Sequence, residues 1–291
     1  MKIWIDGQLK DQKDATVNVF DHGVLYGDGV FEGIRAYGGK IFQFKAHLDR
    51  LFASARRIRL WIPFTEQQLY DATYEAMRAN DVTDGYIRMV VTRGVGLLGI
   101  SPAKCVEPCT YIIADSISMY SEEQYLSGMD VIIAKTTRTN ARSLNPRVKS
   151  LNYLNNILAK LECIDAGAGE AIMLNDDGEV SEASGDNVFI VENGRVATPP
   201  AEAGILMGVT RATVLFLAKR MGLEVAEEPI VPERLLTADE CFLTGTGAEI
   251  IAAIRVDGNP IGSGIVGPVT TQLLAEYRQF IHTDEVISYI A

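Results

Sequence analysis

The chain has 291 residues, 47% of them hydrophobic and 22% charged, so it carries ample material for a buried core and is neither disordered nor fibrous in composition. Its net charge of −11, from 38 acidic against 27 basic residues, disfavours an extended phosphate-backbone partner, and no nucleic acid is expected. Four scattered cysteines (Cys105, Cys109, Cys163, Cys241) do not make a disulfide framework, and with only His22, His47 and His282 beside them no metal site is expected.

Met1-Lys2-Ile3-Trp4-Ile5-Asp6-Gly7 reads as a short strand and turn rather than the apolar stretch of a secretory signal, and no later run is long enough to span a bilayer. A reduced, cytoplasmic setting without membrane attachment is the expectation. Strand character follows at Thr16 to Phe20 and at Phe31 to Tyr37, where a Gly38-Gly39 turn leads into Lys40 to Phe44 as a hairpin. Leu48, Leu51, Phe52, Ala55 and Ile58 recur at helical spacing within Lys45 to Leu60, and a second helix is expected from Glu66 to Ala79. Strands are expected again at Tyr86 to Thr92 and Tyr111 to Ile117.

The polar stretch 118–128 reads as a connector between a domain over 1–117 and a second over 129–291. The second opens with a strand at Val131 to Lys135, a helix at Leu151 to Ala166 and a strand at Ala171 to Leu174. Val188 to Val191 and Arg195 to Ala197 flank Asn193-Gly194, a strong hairpin signal. A helix opening at Gly208, a strand pair, a hairpin at Asp257-Gly258 and a closing helix from Pro268 to Ile281 complete a mixed α/β chain.

Several segments carry chemistry. Lys149 lies in Pro146-Arg147-Val148-Lys149-Ser150-Leu151-Asn152-Tyr153, among small, apolar and amide side chains. An amine in such company is suited to attack a carbonyl. Glu182, in Glu179-Val180-Ser181-Glu182-Ala183-Ser184-Gly185-Asp186-Asn187, can hold a heterocyclic nitrogen protonated. Gly208-Val209-Thr210-Arg211 opens a helix whose free amides can cradle a phosphate, though alone it also reads as a plain capped helix. Leu243-Thr244-Gly245-Thr246-Gly247-Ala248 ends a strand in small residues that let an anion approach backbone amides. Arg50, between core-facing leucines, can be partly buried and then needs an anion, though it reads equally as an intrahelical pair or a helix-edge charge. Taken alone, these turns also suit a non-catalytic phosphate or nucleotide binder.

Taken with His22 to Arg35 and Gly85 to Arg88, these segments, in this order, resemble the fold-type IV pyridoxal phosphate enzymes, and most closely the branched-chain amino acid aminotransferases. The resemblance implies a smaller amino-terminal and a larger carboxy-terminal domain with pyridoxal 5'-phosphate in the cleft. It implies a Schiff base on Lys149, Glu182 on the pyridine nitrogen, and Arg50, Val209, Thr210 and Thr246 around the phosphate. Tyr153 would hydrogen-bond the ring's phenolic oxygen, although several relatives place one further residue between the lysine and that tyrosine.

For substrate, the resemblance implies an apolar pocket of Tyr26, Phe31 and Tyr86, with Arg88 receiving the side-chain carboxylate of glutamate. The backbone at Gly247 and Ala248 would take the α-carboxylate. Arg93 competes with Arg88, but the odd separation of the two along a strand pattern puts them on opposite faces. The implied reaction is ping-pong transamination of leucine, isoleucine and valine with 2-oxoglutarate, in a homodimer or larger assembly. A D-amino acid aminotransferase or an aminodeoxychorismate lyase would keep Lys149 and Glu182 and stays open as the alternative.

Overall fold

Apolar residues at alternate positions build the first sheet. In the computed structural model, which describes residues 1–116 and 120–283, strands Lys2–Ile5 (β1) and Gln8–Asp11 (β2) pair first, and a short helix His22–Tyr26 (α1) leads into Gly29–Tyr37 (β3). Lys40–Ile41 (β4) folds back on β3, helices Phe44–Arg57 (α2) and Glu66–Ala79 (α3) follow, and Gly85–Thr92 (β5) and Thr110–Asp115 (β6) complete a six-stranded antiparallel sheet in the order β2-β1-β6-β5-β3-β4.

One face of this sheet presents Val30, Ile34 and Ala36 from β3 and Ile87, Met89 and Val91 from β5 to Leu48, Leu51 and Ala55 of α2 and Leu69, Ala72 and Ala76 of α3. That is the core of the first unit, and it leaves the opposite face of β3 and β5 for other work. Helix α3 starts at a capping box, with the Gln68 amide donating to Thr65 Oγ1 at 3.2 Å and the Thr65 amide to Gln68 Oε1 at 2.8 Å, an arrangement that contributes about 1 kcal/mol.

Several expected strands come out differently. Thr16 to Phe20 is irregular: the Phe20 amide donates to Asn18 Oδ1 at 2.8 Å, and that local turn delivers Asp21 as the cap of α1, accepting from the Gly23 amide. The strand expected over Lys40 to Phe44 ends at Ile41, because Gln43 adopts φ 48 and turns the chain into α2. The last strand of this unit stops at Asp115, and Ile117 lies outside the described residues.

The second unit contains Glu122–Ser127 (α4), Met129–Ile133 (β7), Leu154–Asp165 (α5), Glu170–Leu174 (β8), Val180–Ala183 (β9), Asn187–Glu192 (β10) and Arg195–Thr198 (β11). It continues with Val209–Arg220 (α6), Val225–Glu227 (β12), Pro232–Thr237 (α7), Glu240–Gly245 (β13), Glu249–Val256 (β14), Asn259–Pro260 (β15) and Pro268–Phe280 (α8). Its mixed nine-stranded sheet runs β12-β11-β10-β13-β14-β7-β8-β9, with β15 beside β14. Phe189 and Phe242 stack as a cross-strand pair at 4.9 Å between ring centroids.

The interval 118–128, expected as a polar connector, contains a short helix. Residues 118 and 119 lie outside the described part, and the rest forms α4 behind a second capping box, Ser121 with Gln124. The polar residues that look like a linker are helix-start signals.

Val148–Asn152 counts with the first unit rather than with 129–291. The reason is backbone pairing: the Phe31 amide donates to the Lys149 carbonyl and the Leu151 amide to the Gly29 carbonyl, each at 3.0 Å, while Val148 enters the first core. The helix expected from Leu151 accordingly begins at Leu154.

Candidate active site

In the first unit, paired residues of β3 and β5 point to the same side, so Phe31, Gly33 and Arg35 share a face with Val90, Arg88 and Tyr86. The Arg88 guanidinium carbon lies 4.5 Å from the Phe31 ring centroid and 5.6 Å from that of Tyr86. A cation stacked on both rings sits in an apolar frame, which suits it to a carboxylate on an otherwise hydrophobic substrate. Gly33 makes this possible, since a Cβ there would overlap the Tyr86 hydroxyl.

Lys149 belongs to the same face. Because its carbonyl is tied to the Phe31 amide, its side chain runs alongside that residue and places Nζ 4.7 Å from the Phe31 ring centroid. The Lys149 amide donates to Ser54 Oγ at 3.1 Å, fixing the segment on α2 as well. Tyr26 is half exposed, and its hydroxyl accepts from the Gly99 amide at 2.9 Å. His22, fully buried, stands edge-on to Tyr26 and contacts the Leu97 carbonyl at 3.2 Å through Nε2, so it orders the Leu97 to Gly99 loop around the tyrosine.

Arg50 is placed by residues the sequence reading left unassigned. Its Nε and Nη2 donate to the two oxygens of Glu32 at 2.8 and 2.7 Å, and Glu32 is fully buried on the core face of β3. The second oxygen also accepts from His47 Nδ1 at 2.8 Å. A carboxylate can only accept, so Nδ1 carries the proton and the buried Nε2, which has no hydrogen-bond partner among the described residues, is the bare nitrogen. Burial favours the neutral acid at Glu32, yet the Arg50 and His47 contacts win and bring its pKa down to about 2. Burial pushes His47 the other way, below its ordinary value. The sequence signal was a glutamate inside an apolar strand, a position that demands a cationic partner.

In the second unit, Glu182 is buried on β9 with both oxygens engaged. Arg138 Nε donates to Oε1 at 2.8 Å, while the Leu206 amide and Asn187 Nδ2 donate to Oε2 at 2.8 and 3.3 Å. Arg138, absent from the sequence-derived list, is itself 9% exposed and is held by Asn155 through Nη1 at 3.1 Å. Arg138 follows the strand β7 after a short polar run, and nothing in that run marked it. The result is a carboxylate fixed in one orientation inside a dry setting, able to offer a remaining lone pair to a protonated ring nitrogen.

Helix α6 starts at Gly208 without a side-chain cap, so the amides of its first turn have no partner within the helix. Val209 and Thr210 are buried there, and Thr210 Oγ1 has no hydrogen-bond partner among the described residues. A second buried hydroxyl without such a partner is that of Thr244 on β13, which the sequence reading passed over in favour of Thr246. Unpartnered buried hydroxyls cost stability unless something binds them, and an anion with several acceptor oxygens satisfies that need.

Thr246, Gly247 and Ala248 form the turn between β13 and β14, closed by the Gly245 to Glu249 pair. Ala248 is fully buried, and its carbonyl accepts from the Tyr125 hydroxyl at 3.0 Å. Tyr125, from α4, is another residue the sequence reading did not name. Tyr153 stands at the amino-terminal cap of α5, partly buried.

The family profile described as amino-transferase class IV matches residues 29–256, a span that holds nearly every residue above. The chain belongs to this family. As a class IV aminotransferase it is similar to a putative branched-chain-amino-acid aminotransferase of Methanocaldococcus jannaschii, 48% identical over 278 residues that cover 96% of each chain. It is 41% identical over 285 residues to a branched-chain-amino-acid aminotransferase of Pseudomonas aeruginosa, covering 96% of this chain and 92% of that one. Among solved structures, the branched-chain amino acid aminotransferase of Thermobaculum terrenum in its PLP-form superposes with a TM-score of 0.86 at 33% identity, over 96% of this chain and 93% of that one. The fold is therefore that of the fold-type IV aminotransferases, whose cofactor is pyridoxal phosphate.

Proposed function

We propose that this class IV aminotransferase transfers the amino group of leucine, isoleucine and valine to 2-oxoglutarate, using pyridoxal 5'-phosphate anchored on Lys149. The observation that carries the reading is Arg88 stacked between Phe31 and Tyr86 with the Lys149 amine over the same Phe31 ring. Branched aliphatic side chains call for aromatic walls, whereas glutamate in the same position calls for a cation. This face of the first sheet offers both.

Cofactor and residues fit on two counts. The unpartnered Thr210 and Thr244 hydroxyls beside or near uncapped amides suit a phosphate, and the Arg138-held Glu182 carboxylate suits a protonated pyridine nitrogen. When bound, the cofactor supplies an electron sink for the electron pair left at the substrate's α-carbon. Glu182 keeps the ring nitrogen protonated, and Arg138, Asn187 and the Leu206 amide keep Glu182 in place. Arg50, the Val209 and Thr210 amides and the Thr246 side chain hold the phosphate, and Glu32 orients Arg50 through its Nε and Nη2. Tyr153 hydrogen-bonds the phenolic oxygen.

Once displaced by the incoming amine, the Lys149 amine would take the proton from the substrate's α-carbon and deliver it to the cofactor carbon, a 1,3-shift. Gly247 and Ala248 amides receive the α-carboxylate, and Arg88 receives the second carboxylate of glutamate. Because both substrates use Lys149 and one pocket in turn, the kinetics are ping-pong. A homodimer or larger assembly in the cytoplasm completes the proposal; the exposed apolar row Leu154, Ile157, Leu161 and Ile164 on α5 supports association, which sedimentation velocity tests.

A substrate panel tests the activity. With 2-oxoglutarate as acceptor, L-leucine, L-isoleucine and L-valine should react and their D-enantiomers should not. Activity confined to D-amino acids, or lyase activity on aminodeoxychorismate, would replace the reading with its sibling on the same scaffold.

A further inference from the structure

Glu249, the first residue of β14, adopts φ 56. A left-handed backbone at a bulky residue persists only where its surroundings over-determine it. Here the determinant is Arg278, in the last turn of α8, whose Nε donates to the buried Glu249 carboxylate at 3.2 Å. The same guanidinium stacks on Tyr125, 4.6 Å from the ring centroid, and its Nη1 and Nη2 donate to Glu122 at 3.0 and 3.1 Å. Tyr125 in turn donates to the Ala248 carbonyl. One arginine thus grips the carboxy-terminal side of the β13–β14 turn at two adjacent residues, directly at Glu249 and through Tyr125 at Ala248.

The helix that carries Arg278 is pinned at its other end. Glu240, at the start of β13, caps α8 by accepting from the Val269 and Thr270 amides at 2.9 and 2.8 Å and from Thr270 Oγ1 at 2.7 Å. A carboxylate at a helix start and an arginine near its end both match the helix dipole. Helix α8 is therefore a brace laid along the hairpin, fixed at the foot of β13 and at the turn. We propose that Arg278 is a positioning residue for the Thr246 to Ala248 turn, holding its amides in the geometry that receives a substrate carboxylate. The inference rests on the assignment of that turn to the α-carboxylate made above. Glu122 is exposed and contributes little; Glu249 and Tyr125 are the working contacts. Lysine cannot replace the fork and the stack together.

The test uses the holoenzyme and two competitive probes, 4-methylpentanoic acid, which is leucine without its amine, and the corresponding primary amide. Wild type should bind the acid more tightly than the amide. Arg278→Met should weaken the acid roughly five- to twentyfold, leave the amide and the cofactor dissociation constant within about twofold, and raise the KM for L-leucine with little change in kcat. Arg278→Lys should restore only part of the loss. Glu249→Met, which removes the acceptor of the same contact from the other side, should reproduce the pattern and stands in if the arginine variant folds poorly. Variants that only melt at lower temperature, with the acid bound as in wild type, overturn the role of Arg278 alone. A wild-type enzyme that does not distinguish acid from amide overturns the carboxylate assignment of the turn, and the inference with it.

Discussion

Arg93 Nε and Nη2 donate to the two oxygens of Asp28, each at 2.9 Å. The same guanidinium donates to the Ile58 and Arg59 carbonyls at 2.7 and 2.6 Å, so all three of its nitrogens are committed to joining the end of β5 to the link between α1 and β3 and to the end of α2. Arg88 stacks on the rings instead. Where their donors go supports Arg88, the arginine that the Tyr86-Ile87-Arg88 match also favours, over Arg93 for the proposed carboxylate contact. Arg93→Met should cost about 2–4 kcal/mol of stability, since it strips a partly buried carboxylate and two carbonyls of their donors. Arg88→Met should leave the melting temperature within a few degrees but raise the KM for L-glutamate by roughly 10- to 100-fold, with a much smaller effect on L-leucine. Differential scanning calorimetry and steady-state kinetics on both variants separate the roles.

Gly33 lets Tyr86 lie across β3, because any Cβ there meets the tyrosine hydroxyl. Gly33→Ala should push the ring aside and raise the KM for branched-chain substrates about tenfold, as misplacement of a pocket wall does. The added methyl meets the oxygen first, so Gly33→Ala with Tyr86→Phe should recover part of that loss. A double variant no better than the single one would show that Tyr86 does not form the wall.

Acid stability should carry two signatures from the Glu32, His47 and Arg50 cluster. Glu32 has a lowered pKa, from 4.5 to about 2, so it contributes about 3 kcal/mol that is fully present above pH 4.5 and is lost as pH falls toward 2. His47 also has a lowered pKa, so the unfolded chain takes its proton first and stability declines as pH falls through about 6.5. Glu32→Gln should be less stable at neutral pH yet show a flatter acid limb, and His47→Gln should remove the decline near pH 6.5. Denaturant unfolding of the apoprotein from pH 8 to 3 reads both.

Thr210 and Thr244 each bury a hydroxyl that lacks a partner among the described residues. Valine at either position removes the orphan while keeping the shape, so the apoprotein should be as stable as wild type or slightly more so. If the hydroxyls hold a phosphate, cofactor affinity should fall about tenfold at the same time. Fluorescence titration with pyridoxal phosphate, beside apoprotein melting curves, checks the opposed directions.

Much of this was legible in the chain. Helical spacing placed α2 and α3, Asn193-Gly194 placed the β10–β11 hairpin, and small residues after a strand placed the Thr246 to Ala248 turn. What the sequence hid depends on partners far away in it. Glu32 makes sense only once α2 lays His47 and Arg50 over β3, and Arg138 only once it meets Glu182. The helix within 118–128 was not legible because Ser, Glu and Gln serve helix starts as well as linkers. Lys149 was counted with the wrong unit because pairing of its backbone with Phe31 is a long-range contact that no local pattern announces.

The central claim is that Lys149 carries the cofactor. Reducing the yellow holoenzyme with borohydride and mapping the modified peptide by mass spectrometry tests it directly. The account predicts a phosphopyridoxyl mass on Lys149 alone, with loss of the visible absorbance, and no such adduct in Lys149→Ala. A label on another lysine, or a protein that gains no visible absorbance with added pyridoxal phosphate, would contradict it.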